Sequence, residues 1–454
     1  MLRALRLIAL CLPLIAAGAA VAGPARETAD STSVTTFVLR GRGYGHVVGM
    51  GQWGAFGQAK RGVSYDEILE HYYPGTALTV ARAKSLRVVI LETSDSVSVS
   101  SSVAFRLRDG QGKTRSLDAG SYEVSPSLVI TGDGVTPAQK PKGPFALLPG
   151  GEPLSVGDKP YRGAIVVQRV GPGLQVVNEV GIDAYVRGVV TEEVPEDWPL
   201  EAIKAQAVAA RSYGLSAVER GSILYADTRS QVYSGVSGES KAGDKAAAAT
   251  KEEVLMFRGK VATTFFYASS GGRTADVRDV FVGGPGIQYL VSVPDPDDKQ
   301  SPYHRWGPVM LTAEKVSKAL GVPGATDMRA VPAGGRTREV VVSGRDGETR
   351  IPASTLRRSL ELRSGWVAPG VLTLTRPVGR LVAGETSALS GVVQRVKGPV
   401  RLEQRTAGAW QTIGAVSAGP DGSFSIDVAP AVTTWYRLAA AGGVVSTPLR
   451  VPVT

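Results

Sequence analysis

Two adjacent carboxylates, Glu192 and Glu193, sit in a stretch of chain that suits acid catalysis. Val190, Val194 and Trp198 flank them, and apolar neighbours strip water from a carboxyl, disfavour its ionised form and raise its pKa towards neutrality. A carboxyl protonated near pH 7 can donate to a leaving oxygen, so one of the pair is a candidate general acid. The bland alternative is two solvated turn residues, which is what an arbitrary Glu-Glu pair usually is. Downstream, Gln206 and Tyr213 lie seven apart, as do Lys204 and Arg211, so each pair projects from nearly the same side of a helix. Far upstream, Gly41, Gly43, Gly45, Gly49 and Gly51 let the backbone turn tightly or approach a ligand closely, presenting His46, Gln52 and Trp53.

The elements that must position these groups can be read from pattern. Val186, Val189 and Val190 suit an extended, half-buried segment, which places the two glutamates in the turn that follows it. Val194-Pro195 forces a break. A helix then starts, with Asp197 or Trp198 as N-cap, Pro199 in its first turn and Glu201 near the positive end of its dipole. Leu200, Ile203, Ala207 and Ala210 recur at helical spacing, so one face is buried. Tyr65 to Tyr73 reads as a short helix, with Ser64 as N-cap, Glu67 completing a capping box and Pro74-Gly75 as the stop. Strands are expected at 86–91, within 96–103, at 128–131, and as a hairpin of 164–170 and 174–180 around Gly171-Pro172-Gly173.

Composition bounds the setting. Residues 1–22 read as a secretory signal peptide: Arg3 and Arg6, an apolar run broken by Pro13, then Ala20-Val21-Ala22. The one cysteine, Cys11, lies inside it, so the mature chain has neither disulfides nor a cysteine nucleophile. The chain of 454 residues carries a net charge of +10. In an exported protein, such basicity suits an anionic cell wall better than nucleic acid. No cofactor is expected and no metal, since His46, His71 and His304 have no ligand-like spacing. Asp295, Asp297 and Asp298 lack the glycine and distal glutamate of a calcium loop and read as turn formers. Ser269 and Ser270 are not in a GxSxG elbow, which sets a serine hydrolase aside.

The run GVVTEEVPEDWPLEAIKAQAVAARSYGL, Gly188 to Leu215, resembles the core motif of the SpoIID/LytB family. In that pattern the acidic residue falls on Glu193, which the resemblance implies is the catalytic acid. RGRGYGHVVGMGQWGAFGQA is similar to a second family segment that ordinarily closes the domain, whereas here it comes first, an order equivalent to a circular permutation. Val47 stands where the family has glycine, although a β-branched residue resists positive φ. Gly51 replaces a serine. DTRSQVYSG (Asp227 to Gly235) and FFYASSGGRTADV (Phe265 to Val277) match further family segments. The resemblance makes His46, Gln52, Gln206, Arg211, Tyr213, Gln231, Tyr233, Tyr267, Ser269, Ser270, Gly271, Gly272 and Thr274 the candidate substrate-binding residues.

The expected fold is α+β: a linker at 23–35, a SpoIID-like domain over 36–368 with a β-rich part at 84–180 and a core at 181–366, then a small immunoglobulin-like β-sandwich over 371–454. The resemblance implies a secreted, wall-associated lytic transglycosylase. It would cleave between N-acetylmuramic acid and N-acetylglucosamine in peptide-free strands, leaving 1,6-anhydro ends. Two rivals stand beside it: a non-catalytic wall protein that enhances a partner amidase, and a water-using muramidase needing a second carboxylate from Glu192, Asp183 or Asp227. Nucleic acid is not an expected partner, nor is a membrane once the signal is removed.

Overall fold

The computed structural model describes residues 32–81, 85–132, 135–281, 283–284, 286–379 and 381–454. The expected signal peptide and most of the 23–35 linker lie outside them. Helices and strands are mixed throughout, and among the described residues no helix is long and apolar enough to cross a membrane. The chain divides into two compact units, the first built mainly from 47–277 and 284–301 and the second mainly from 32–46 and 302–454.

In the first unit, a seven-stranded sheet runs in the order Leu224–Tyr225, Ser85–Thr93, Gly173–Gly181, Ala164–Val170, Phe145–Leu148, Phe105–Arg108, Thr114–Leu117. Its centre is the hairpin expected around Gly171, with Val166 opposite Val177 and Val170 opposite Gly173. Five helices matter for the site: α1 (Gln52–Lys60), α2 (Tyr65–Tyr72), α3 (Ile182–Glu193), α4 (Leu200–Glu219) and α5 (Lys241–Ala249). The cap of α2 forms as the sequence predicts, the Ser64 N–H donating to Glu67 Oε2 at 3.0 Å.

Two expectations at the centre need correction. The valine-rich stretch before the glutamates is helix α3, not an extended segment, and Glu193 is its last residue, not a turn residue. Ile182, Tyr185, Val186, Val189 and Val190 are all buried and fall at i, i+3, i+4, i+7 and i+8, so helical periodicity overrides the β-preference of valine. Helix α4 begins at Leu200 after Pro199, whose ψ of 135° makes it the N-cap in place of Asp197 or Trp198. Nor does α4 bury one face only: Ala205 through Ala217 is buried without a break. Its alanines and Gly214 let α3, α5 and the strand Glu253–Phe257 close around it.

In the second unit, Ser33–Gly41 lies inside a five-stranded sheet, between Trp306–Thr312 and Val367–Thr375, with Ser387–Gln394 and Ser423–Val428 beyond. Strand structure therefore starts at Ser33, within the stretch expected to be linker. Alternation along this strand feeds two cores: Val34 and Val38 pack with Leu372, Leu402 and Leu438, while Phe37 and Leu39 pack with Trp306, Val340 and Leu356. The Thr447 N–H donates to Thr36 Oγ1 at 2.7 Å. The module boundary expected between 368 and 371 thus falls within the strand Val367–Thr375, and the C-terminal strands share a core with the N-terminal one.

Candidate functional site

Glu193 ends α3 because Val194 precedes proline and is held extended at φ −135° and ψ 144°. Glu193 is 5% exposed. Burial pushes the carboxyl up to about 7, with the charge of Glu192 adding to the rise, while the Val232 N–H and the Gln52 amide pull it down. The Val232 N–H donates to Glu193 Oε1 at 3.1 Å. Burial outweighs these donors, leaving a carboxyl that exchanges its proton near neutrality.

Three of the sequence candidates converge here. Gln52 Nε2 donates to the Glu193 carbonyl at 3.2 Å and lies 3.5 Å from Gln206 Oε1. Gln231, next to Val232, donates through Nε2 to the Tyr185 hydroxyl at 3.1 Å and to the Ala210 carbonyl at 3.3 Å. Gln206 and Gln231 are fully buried, yet Gln206 Nε2 and Gln231 Oε1 have no hydrogen-bond partner among the described residues, nor does Trp53 Nε1. Buried polar atoms without partners are costly and uncommon, and two of them sit on the glutamines nearest this carboxyl: Gln206, bonded to Gln52, and Gln231, next to Val232. Trp53 packs on Trp198 and Phe56 at ring-centroid separations of 5.1 and 5.2 Å.

Other candidates lie elsewhere in the packing, several with their polar atoms already hydrogen-bonded. Arg211 is fully buried and every guanidinium nitrogen is committed: Nε donates to Asp183 Oδ1 at 2.9 Å, Nη1 to the Glu253 carbonyl at 3.1 Å and Nη2 to the Ala247 carbonyl at 3.4 Å. It ties α4 to α3, α5 and a strand, and it cannot also grip a sugar. The Tyr233 hydroxyl donates to Asn178 Oδ1 at 2.7 Å, and its ring lies against Gly188 of α3. The Ser269-Ser270-Gly271-Gly272 turn closes around the Asp298 carboxylate. The Ser269 hydroxyl and the Ser270 and Gly271 N–H groups donate to it at 2.8 to 3.0 Å, and Ser270 Oγ accepts from the Gly272 N–H. Thr274 Oγ1 donates to the Val291 carbonyl and accepts from the Val293 N–H. Ser269, Ser270 and Thr274 are fully buried, and their side-chain oxygens are taken up by these hydrogen bonds. Tyr213 packs on Phe265 with ring centroids 6.0 Å apart. His46, in the second unit, is buried with its ring 6.0 Å from that of Phe281. Val47 adopts φ +64° despite its branched side chain.

The aspartates read as turn formers do more than turn the chain. Besides the Asp298 clamp, Asp297 receives the Arg61 guanidinium through two hydrogen bonds at 2.9 and 2.6 Å. Asp295 is fully buried and its carboxyl is pushed up to about 7, by burial first and then by the Asp298 charge, with Ser270 and Tyr72 opposing. It sits against α1 at Gly54, where a Cβ would lie 2.2 Å from Asp295 Oδ1 and 2.0 Å from the Tyr72 oxygen. The Tyr267 hydroxyl faces Gly51 beside the same carboxylate. Sequence signals for this cluster existed in the glycine spacing of α1, but not its partner.

The fold is mixed α+β, and a buried carboxyl at the end of a helix, that of Glu193, is pushed up to about 7. Residues 171–257, which include that carboxyl, match the family model "SpoIID: Stage II sporulation protein". It is similar to an uncharacterized protein of Brachyspira hyodysenteriae, 37% identical over 138 residues, covering 29% of this chain and 37% of that one. The amidase enhancer of Bacillus subtilis is 36% identical over 115 residues, 25% of this chain and 16% of its own. Stage II sporulation protein D of Bacillus subtilis is 32% identical over 167 residues, 33% and 48% respectively. The matches thus span less than half of each relative. No solved structure matches.

Proposed function

We propose that this protein is an exported, cell-wall-associated lytic transglycosylase with Glu193 as its one acid and base. The observation that carries the reading is the buried carboxyl of Glu193, held near pKa 7 with a backbone N–H as its anchor. Protonated, it donates to the oxygen linking the muramic C1 to the next sugar, and that C1–O bond breaks with the electron pair leaving on oxygen. The carboxylate so formed takes the proton of the muramic C6 hydroxyl, whose oxygen bonds to C1. Glu193 is reprotonated, and the products are a 1,6-anhydro end and a free hydroxyl. No water is consumed, so no second carboxylate is needed to activate one. Gln52, Gln206 and Gln231 are the polar groups beside the carboxyl that orient the sugar.

The substrate in this reading is a glycan strand free of stem peptides. The amidase enhancer among the relatives favours one second reading, in which the protein serves a partner amidase through strand binding. The C-terminal strands are read as an immunoglobulin-like sandwich without chemistry of its own. Mass spectrometry of peptide-free strands incubated with the protein and with Glu193→Gln tests the reading. Anhydromuramyl ends from the first and none from the second are expected. Intact strands with both proteins would overturn it, and new reducing ends would point to hydrolysis.

A further inference from the structure

The second unit concentrates arginines without counterions around its glycine-rich segment. The Arg42 N–H donates to the Trp366 carbonyl at 3.0 Å, the Gly43 N–H to the Tyr303 carbonyl at 3.0 Å and the Gly45 N–H to the Arg363 carbonyl at 2.9 Å, which draws 42–45, 303–305 and 357–366 together. The Arg42 guanidinium lies 5.1 Å from the centre of the Trp366 ring and that of Arg363 4.9 Å from the Tyr303 ring. Arg357 donates through Nε to the Arg363 carbonyl at 3.2 Å. Arg305 and Arg358 are exposed beside them.

None of Arg42, Arg305, Arg357, Arg358 and Arg363 forms an ion pair with a carboxylate among the described residues, and Glu361, in the same stretch, pairs with none of them. Elsewhere the chain pairs its arginines readily, as in Arg61 with Asp297 and Arg187 with Asp244. The crowding is unfavourable as it stands: Arg42 is depressed by burial and then by the charge of Arg305, and Arg357 by burial, with Tyr44 opposing and Arg358 adding to the fall. Like charges held together without a counterion are relieved by an oxyanion ligand, and planar guanidinium forks fit carboxylate and phosphate oxygens.

The aromatic rings narrow the ligand class. Trp366 already carries Arg42 and Arg336 against its ring, and Tyr303 carries Arg363 and the edge-on ring of Tyr44 at 4.9 Å. Rings so covered are not stacking platforms for bases, which single-stranded nucleic acid binding uses. We infer that this arginine cluster is a binding site for the carboxylates of a glycan: the lactyl groups freed when stem peptides are cut from muramic acid. The choice of glycan rests on the transglycosylase reading. The site would hold such strands by charge, through one lactyl carboxylate per muramic residue.

Binding of the full-length Glu193→Gln protein to peptide-free strands tests this without turnover, beside the same strands with carboxylates converted to neutral amides. Amidation is expected to weaken binding about tenfold or more, the scale for losing a hydrogen bond to a charged group. Arg305→Gln with Arg358→Gln, both exposed positions, should weaken binding to anionic strands by a similar factor, leave amidated strands unaffected and leave the thermal midpoint unchanged. Equal binding of both strand forms, or arginine variants that bind like their parent, would overturn the site. So would tighter binding of poly(glycerol phosphate) or of a single-stranded oligonucleotide. The two readings fail separately: carboxylate-dependent binding without anhydro products from the protein carrying Glu193 sinks the enzyme and keeps the site. Products without carboxylate dependence do the reverse.

Discussion

Replacing Glu193 with glutamine keeps the shape of the side chain and an acceptor for the Val232 N–H while removing the ionisable proton. The carboxyl moves from an ordinary value of 4.5 to about 7 on folding, and burial is the leading cause. A raised pKa in the folded state means that folding retains a proton the unfolded chain has already lost. Stability is therefore fully present below about pH 4.5, falls as pH rises through the folded pKa, and is flat above it. The shift corresponds to about 3 kcal/mol across that window. Glu193→Gln should be free of this loss, so it should exceed the parent in stability at pH 8 by about 3 kcal/mol more than it does at pH 4.5. Urea unfolding of both proteins at the two pH values reads the difference directly. Asp295 titrates in the same range in both proteins and so cancels. The same ionisation should remove general-acid activity on the basic side of about pH 7. Parallel stability profiles for the two proteins, or activity undiminished at pH 9, would refute the argument from burial.

The framework residues make sharper structural predictions. Arg211→Met leaves the Ala247 and Glu253 carbonyls and Asp183 without their donor, and should cost about 3 to 5 kcal/mol in urea unfolding. A loss below about 1 kcal/mol would return Arg211 to the list of substrate contacts. Asp298→Ala removes the acceptor for Ser269, Ser270 and Gly271, so a loss of more than about 3 kcal/mol is expected, with Asp298→Asn intermediate. Gly54→Ala drives a methyl group onto Tyr72 and Asp295 and should cost about 1 to 3 kcal/mol, whereas Gly181→Ala, with nothing within 4 Å, should cost less than that. Equal thermal midpoints for the two glycine variants would show that α1 yields easily.

Local rules were legible wherever neighbours in sequence decide the outcome. The Ser64–Glu67 cap, the stop near Pro74, the hairpin around Gly171 and the helix after Pro199 all follow from turn chemistry and capping within a few residues. Even at α3 the information was present, since five buried positions fall at helical spacing, but the β-preference of three valines pointed the other way. The family motif separates Glu193 from Glu192, which local chemistry left equivalent.

What the sequence by itself determined is therefore a resemblance to a family, the helices α2 and α4 and the hairpin around Gly171, because motif, period and cap are encoded within short windows. Which polar residues lie beside Glu193, and which are hydrogen-bonded elsewhere, was decided only in three dimensions. Arg211 and Tyr233 look as available as Gln206 until Asp183, Glu253 and Asn178, distant in sequence, take up their hydrogen bonds. The Ser269 turn depends on Asp298 twenty-nine residues on, and the first strand finds its core partners in the C-terminal strands. Desolvation, which raises Glu193, is a property of everything packed around the carboxyl, and no window of sequence contains that packing.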